Sequence, residues 1–294
     1  MVIETEDAAE EFFLTIAGLP TGSDVTIDIE CVLDKDNSFG HPERHKMLCV
    51  GIQIEDDDPV VFTAEALTEY VWKQILNLLS SSNVIAQNGK FDLNGIRPLV
   101  GKIDLGFDTM LASYCLDERT GIHGLKSMAQ EILNAPPWDD EIKKYIGPER
   151  RFDRIPKNLL YKYNAYDVRV TKMLKDYFYK LLVEQDLLKL RNFLCEASNM
   201  LMDVEYGGIT IDKKYLEELV EKFEYEILSM EHHLSVMAYS VRPEGYLKGD
   251  GINPRSPMQI KKFFIIPNTR SERLGFNSHK SLGLREDNHL ALLS

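Results

Sequence analysis

The sequence predicts an α/β fold, a mixed sheet flanked by helices over about the first 187 residues, followed by a helical region from residue 188 to 294. Three observations carry this expectation. Residues 25–30, 47–54 and 60–63 are rich in β-formers and separated by turn-like or polar segments, which reads as an antiparallel meander. A short, wholly apolar run at residues 84–86 then stands between two segments with helical apolar spacing. From Lys157 onward helical spacing dominates, so the order βββ-α-β-α is closed by helices.

Taken in order, residues 12–24 read as a short lead-in ending in the turn Pro20-Thr21-Gly22-Ser23, and the first strand follows. Residues 33–46 are polar, contain Gly40 and Pro42, and read as a loop. The acidic run Glu55-Asp56-Asp57-Asp58-Pro59 is a solvated hairpin tip between the second and third strands. Leu67, Val71, Ile75, Leu78 and Leu79 mark a helix over residues 65–79. After the strand at 84–86, helices are expected over residues 91–99, over 109–116 with Asp108 as its cap, and over 124–133. Ala135-Pro136-Pro137 breaks the chain before a short helix at 138–146. Helical spacing then covers residues 157–188, 192–206 and 213–239, with a break at Gly207-Gly208, and the chain beyond Val241 is rich in Gly, Pro, Asn and Ser.

The 294 residues are 44% hydrophobic, as expected for a soluble globular protein. Cys31, Cys49, Cys115 and Cys195 are scattered and form no Cys-x-x-Cys pair, so they read as buried free thiols of a reducing compartment. The first eleven residues are acidic and lack an apolar signal core, and no apolar run is long enough for a bilayer. A cytoplasmic protein without membrane contact is the expectation. The formal charge of −13 argues against gripping duplex nucleic acid by a broad basic surface. It leaves open catalysis on a short single-stranded end, held locally by cations on phosphates and by stacking.

Within the first strand, Asp28 and Glu30 are two residues apart and therefore share one face. Two like charges so close cost energy unless a cation neutralises them, and hard oxygen ligands suit Mg²⁺ or Mn²⁺. An exposed strand face also carries such pairs by chance. Asp92 stands in the first turn of a helix entered through Gln87-Asn88-Gly89, where a carboxylate is favoured by the helix dipole alone. Tyr163 and Asp167, four apart, lie on one helix face, and singly each reads as an ordinary surface or partly buried residue.

Together these stretches resemble the proofreading 3′→5′ exonuclease domain of family A DNA polymerases, phage-type members included. The three motifs of that family, Asp-x-Glu, Asn-x-x-[Phe/Tyr]-Asp and Tyr-x-x-x-Asp, occur here in order as Asp28/Glu30, Asn88/Phe91/Asp92 and Tyr163/Asp167. Phe107-Asp108-Thr109-Met110 matches as well, and His123-Gly124-Leu125-Lys126-Ser127-Met128-Ala129 is similar to the segment that packs below the family's site. The resemblance implies a ribonuclease-H-like fold and two divalent metal ions, Mg²⁺ or Mn²⁺, held by Asp28, Glu30, Asp92 and Asp167. It implies that Asp28 bridges both ions, that Glu30 and Asp167 ligate the one that activates water, and that Asp92 serves the leaving-group ion through its water shell. Tyr163, a poor base with a free pKa of about 10, would orient the attacking water with Glu30. Asn88 would bond near the terminal nucleotide, Trp138 would stack on bases or simply cover a helix junction, and Leu33 would wedge beside the terminal base. His41, His45 and His123 read as structural or solvated.

Residues 196–212 look like the opening helix and turn of the polymerase module of the same family, and Asn253-Pro254-Arg255-Ser256-Pro257-Met258-Gln259-Ile260 is similar to its Asn-x-x-Ser-Pro-x-Gln-Leu thumb segment. Residues 284–293 match the next motif weakly, and no palm or fingers carboxylates follow. The expectation is therefore a metal-dependent 3′→5′ exonuclease releasing nucleoside 5′-monophosphates from single-stranded or frayed DNA 3′ ends, partnered by a separate or missing polymerase palm and fingers portion. An RNA-trimming exonuclease of the ribonuclease D type and a catalytically silent, partner-binding scaffold of a replication complex are the alternatives.

Overall fold

The structure is a computed structural model that describes residues 1–32, 45–147, 151–241, 253 and 255–258. Two compact units are present, residues 1–208 and 209–294. The first opens with β1 (Val2–Ile3) and α1 (Glu6–Thr15), then β2 (Asp24–Val32), β3 (Lys46–Ile54) and β4 (Val60–Thr63). Next come α2 (Glu69–Ser80), β5 (Asn83–Ala86), α3 (Lys90–Val100), β6 (Phe107–Asp108), α4 (Thr109–Leu116), α5 (Leu125–Leu133) and α6 (Asp140–Ile146). A 3-10 turn at Phe152–Arg154 precedes α7 (Lys157–Glu184) and α8 (Leu188–Gly207).

The six strands form one mixed sheet in the order β1-β4-β3-β2-β5-β6. The expected meander is present, β2 and β4 each running antiparallel to β3, while β5 joins β2 in parallel and β6 extends the parallel half. The lead-in departs from expectation. Its Glu and Asp residues obscure an amphipathic helix whose Thr5 side chain accepts the Ala8 N–H and whose Ala9 and Phe13 are buried. Helix α2 starts at Glu69 rather than at 65, because the Thr68 hydroxyl caps it by accepting the Val71 N–H.

Alternation along β2 and β3 sorts their side chains onto two faces. Val25, Ile27 and Ile29 join Val50, Ile52 and Ile54 in a core closed by Phe13 of α1, Trp72 and Ile75 of α2, and Leu93 and Ile96 of α3. The opposite face is covered by α7, which spans about 42 Å at 1.5 Å per residue. One end of α7 packs Leu160 and Tyr161 against Cys49, Val61, Ile142 and Ile155. Its other end packs Val170, Leu174, Phe178 and Leu182 against Ile85, Phe107, Ala112 and Met128. Between these apolar clusters α7 carries Tyr163, Asn164 and Asp167, so a polar seam crosses an otherwise apolar helix–sheet contact.

Packing places the end of the first unit after α8, one helix beyond the boundary expected near residue 187. Met202 enters the first core, Asn199 pairs both ways with the Leu105 backbone, and Arg191 donates to the Gly106 carbonyl. In the second unit α9 (Lys213–Val241) is capped by Asp212, whose carboxylate accepts the Tyr215 N–H. The thumb-like segment is described only at residues 253 and 255–258, where Arg255 pairs with Glu231; residues 284–293 lie outside the described residues.

Candidate active site

Asp28 and Glu30 leave β2 on the face that α7 covers, as their i, i+2 spacing requires. Opposite Asp28 in the ladder stands Gly51 of β3. A Cβ at Gly51 would overlap Asn164 Oδ1 and lie 2.7 Å from Val168 Cγ2, so the missing side chain is what lets α7 descend onto the sheet here. The buried Asn164 uses that space to donate from Nδ2 to Asp28 Oδ2 at 2.7 Å. Asp167 lies one turn further along α7, and oxygen atoms of Asp28, Glu30 and Asp167 lie within 4.8 Å of one another.

The fourth carboxylate arrives from the other strand neighbour. β5 ends in a turn where Asn88 has φ +54°, and α3 then delivers Asp92, whose Oδ1 accepts the Ile29 N–H at 3.1 Å. Buried Asp108 holds that turn, accepting the Asn88 and Gly89 N–H groups at 3.1 and 2.9 Å while it caps α4 through Met110 and Leu111. A close approach is needed here too. A Cβ on Gly95 of α3 would come within 2.7 Å of Ile29 Cδ1 on β2.

Electrostatics at the site favour positive charge. Burial, then Asp92, Glu30 and Asp167, raise the Asp28 carboxyl well above the usual range. Burial, with Asp167 and Asp92, does the same to Glu30. Asp92 is pushed up to about 8, chiefly by burial, with the Ile29 N–H bond opposing. Burial raises Asp167 as well, against the pull of Lys126 and Trp138. The Tyr163 phenol is raised far above its ordinary value by burial and by the carboxylates around it, which favours its protonated form. The donor set is all oxygen, convergent and negatively charged, and it fits hard divalent cations such as Mg²⁺ or Mn²⁺.

The residues singled out in the sequence do not all fall in one place. Asp28, Glu30, Asp92, Tyr163 and Asp167 come together; Asn88 is exposed on the turn before α3. Trp138, half-buried, is tied directly to the carboxylates, its Nε1–H donating to Asp167 Oδ1 at 2.6 Å while its ring stacks on Tyr166. It also lines a cavity of about 160 Å³ with Pro136, Pro137, Lys162, Tyr163 and Tyr166. Leu33 and His41 lie outside the described residues, and His123 bonds to Ser113 through Nδ1. One expectation is corrected. The segment from His123 to Ala129 does not merely pack below the site, because Lys126 Nζ reaches into it and donates to Tyr163 Oη at 2.8 Å and to Asp167 Oδ1 at 3.2 Å. Asn164 and Gly51 were also missed, and a polar residue placed between Tyr163 and Asp167 was the available signal for the first.

Among known proteins, the DNA polymerase of Escherichia phage T5 is 25% identical over 88% of this chain and 32% of its own length. The DNA polymerase of Bacillus phage SP01 is 27% identical over 95% of this chain and 35% of its own. The chain thus spans about a third of these relatives. The Escherichia coli ribonuclease D structure superposes with a TM-score of 0.55 at 15% identity, covering 69% of this chain and 50% of that one. The Trypanosoma brucei ribonuclease D complex with RNA U12 gives 0.56 at 17% identity, covering 72% of each. These two likenesses establish the ribonuclease-D-like exonuclease fold. Among the described residues no helix is long and apolar enough to cross a membrane. A family model described as 3′-5′ exonuclease matches residues 1–183, and the chain belongs to that family, the exonuclease domain of A-type DNA polymerases.

Proposed function

We propose that this protein is a divalent-cation-dependent exonuclease that removes nucleoside 5′-monophosphates from single-stranded or frayed DNA 3′ ends, as the proofreading part of an A-type polymerase. The observation that carries the reading is the convergence of Asp28, Glu30 and Asp167 oxygens within 4.8 Å, with Asp92 adjoining them. DNA is favoured over RNA because the phage DNA polymerases align with this chain beyond the exonuclease unit, over 88% and 95% of its length. By the same resemblance the partner is a palm and fingers portion of the kind that such polymerases carry.

Asp28, Glu30, Asp92 and Asp167 would hold the cations. Bound there, a pair of divalent ions supplies charge neutralisation at the phosphodiester and a bound water of lowered pKa. The chain's own groups set the geometry. Asn164 fixes the Asp28 carboxylate, the Ile29 N–H fixes Asp92, and the Trp138 indole fixes Asp167. Protonated Tyr163 orients the attacking water together with Glu30. The cavity beside Trp138 and Tyr166 receives the bases next to the 3′ end, with Lys162 at its rim for the backbone phosphate.

The test is digestion of a 5′-labelled single-stranded DNA oligonucleotide and of the matched RNA, with Mg²⁺ or Mn²⁺, beside EDTA and Asp28→Ala controls. A ladder shortening from the DNA 3′ end, absent in both controls, is expected. Faster trimming of RNA would transfer the reading to the ribonuclease D type. An Asp28→Ala protein as active as its parent would sink the carboxylate site altogether.

A further inference from the structure

The Lys126 ammonium sits in a complete cation site built from the chain itself. It donates to Asp167 Oδ1 and Oδ2 at 3.2 and 3.3 Å and to Tyr163 Oη at 2.8 Å. The Tyr163 and Trp138 rings flank it, with centroids 4.5 and 4.9 Å away. Asp167 is therefore engaged on both oxygens, taking the Trp138 indole on Oδ1 and the ammonium on Oδ1 and Oδ2. A divalent cation on Asp167 needs the same lone pairs, and it repels a fixed positive charge at that distance. The two donors differ in what they can do. Trp138 is neutral, rigid and leaves Oδ2 open, whereas Lys126 has a flexible four-carbon stem and a side chain 29% exposed, so Lys126 is the one that yields.

We propose that Lys126 is a positioning residue that acts as an internal counterion, holding Asp167 and Tyr163 in place before a divalent cation arrives and competing with that cation for Asp167. Its ammonium supplies, in the metal-free protein, part of the charge that the cluster of Asp28, Glu30, Asp92 and Asp167 calls for. The cost is weaker cation binding at Asp167, because the cation there must first displace it. The inference rests on the reading of these carboxylates as a cation site.

Mn²⁺ titration of the metal-free full chain, followed by the paramagnetic resonance of free Mn²⁺ and without any nucleic acid, separates the two. Lys126→Met, which keeps most of the stem and removes the charge, should bind Mn²⁺ about 10-fold or more tightly than the parent, from the loss of one like charge close to the site. Lys126→Arg should stay near the parent. In EDTA, Lys126→Met should melt below the parent and Lys126→Arg should not. Damage to the site weakens metal binding, so a gain in affinity is not a consequence of structural disruption. Lys126→Gln is the second neutral variant should the methionine protein fail to fold. Neutral variants that bind Mn²⁺ no better than the parent overturn the counterion role while leaving the carboxylate site intact. A parent that takes up no Mn²⁺ overturns both.

Discussion

Gly51→Ala tests how the site is built without touching any candidate ligand. The added methyl would overlap Asn164 Oδ1 and sit 2.7 Å from Val168 Cγ2, and both neighbours are wholly buried, so nothing can retreat into solvent. Overpacking of this kind costs about 1–3 kcal/mol. Relief has two routes. Asn164 can rotate away, breaking its bond to the Asp28 carboxylate, a charged hydrogen bond of about 1.5–3 kcal/mol. Otherwise α7 can rise, and Tyr163 and Asp167 then move with it, which at about 1 Å costs on the order of 10²-fold in rate. At about 2 kcal/mol the melting temperature should fall by about 4–8 °C for a unit of this size. Melting followed by circular dichroism and oligonucleotide digestion at saturating Mg²⁺ provide the two readouts. Asn164→Ala sharpens the test. It removes the larger overlap, so Gly51→Ala/Asn164→Ala should be more stable than the sum of the single changes, a coupling that independent sites do not show. A Gly51→Ala protein with parental melting and parental rate would refute the close-approach account of the site.

Three further outcomes are expected. Trp138→Phe keeps a ring for stacking but removes the donor to Asp167; kcat should fall with KM for the strand little changed, whereas a pure stacking role predicts no loss. Tyr163→Phe should retain a weak residual rate, lower by about 10²-fold, since the phenol orients water and transfers no proton, and a parental rate would remove it from the mechanism. In EDTA, stability should decline as pH rises. The unfolded carboxyl of Asp92 titrates near about 3.9 and its folded one at about 8, so between these values the folded state holds more protons and loses stability with each increment of pH. Melting at pH 5.5 should exceed melting at pH 8, Asp92→Asn should flatten the difference, and a slope of opposite sign would contradict the burial of this carboxyl.

What the sequence disclosed and what it hid divide along physical lines. The meander, the strand read at 84–86 and α7 were legible because each depends on a local pattern: β-forming or apolar runs in strands, 3.6 spacing in helices. The carboxylates were singled out through the family resemblance, because local geometry puts Asp28 with Glu30, and Tyr163 with Asp167, on shared faces but leaves each open to an ordinary surface reading. Helix α1 was hidden by composition, since Glu and Asp crowd the positions around Phe13. Lys126 was hidden by distance, because nothing within α5 reveals that its ammonium will meet a residue 41 positions away. Gly51 was hidden by its chemistry. A glycine within a run of β-formers reads as a defect in the strand, and only its register opposite Asp28 turns the absent side chain into space for Asn164.

That juxtaposition also explains why the polar seam persists between two apolar clusters. A buried carboxylate is costly unless donors or a cation meet it. Asn164, the Ile29 N–H and Trp138 each satisfy one acid of this cluster while leaving other oxygens open: Asn164 takes one oxygen of Asp28, the Ile29 N–H one of Asp92, and Trp138 one of Asp167. Fewer donors would leave the acids free to turn or to protonate, and more would close the site to a cation. Among the described residues Lys126 exceeds that balance, by taking the second oxygen of Asp167, and it combines a full positive charge with a stem that can swing away. The geometry thus separates donors that orient the acids permanently from the one that holds the place of a cation.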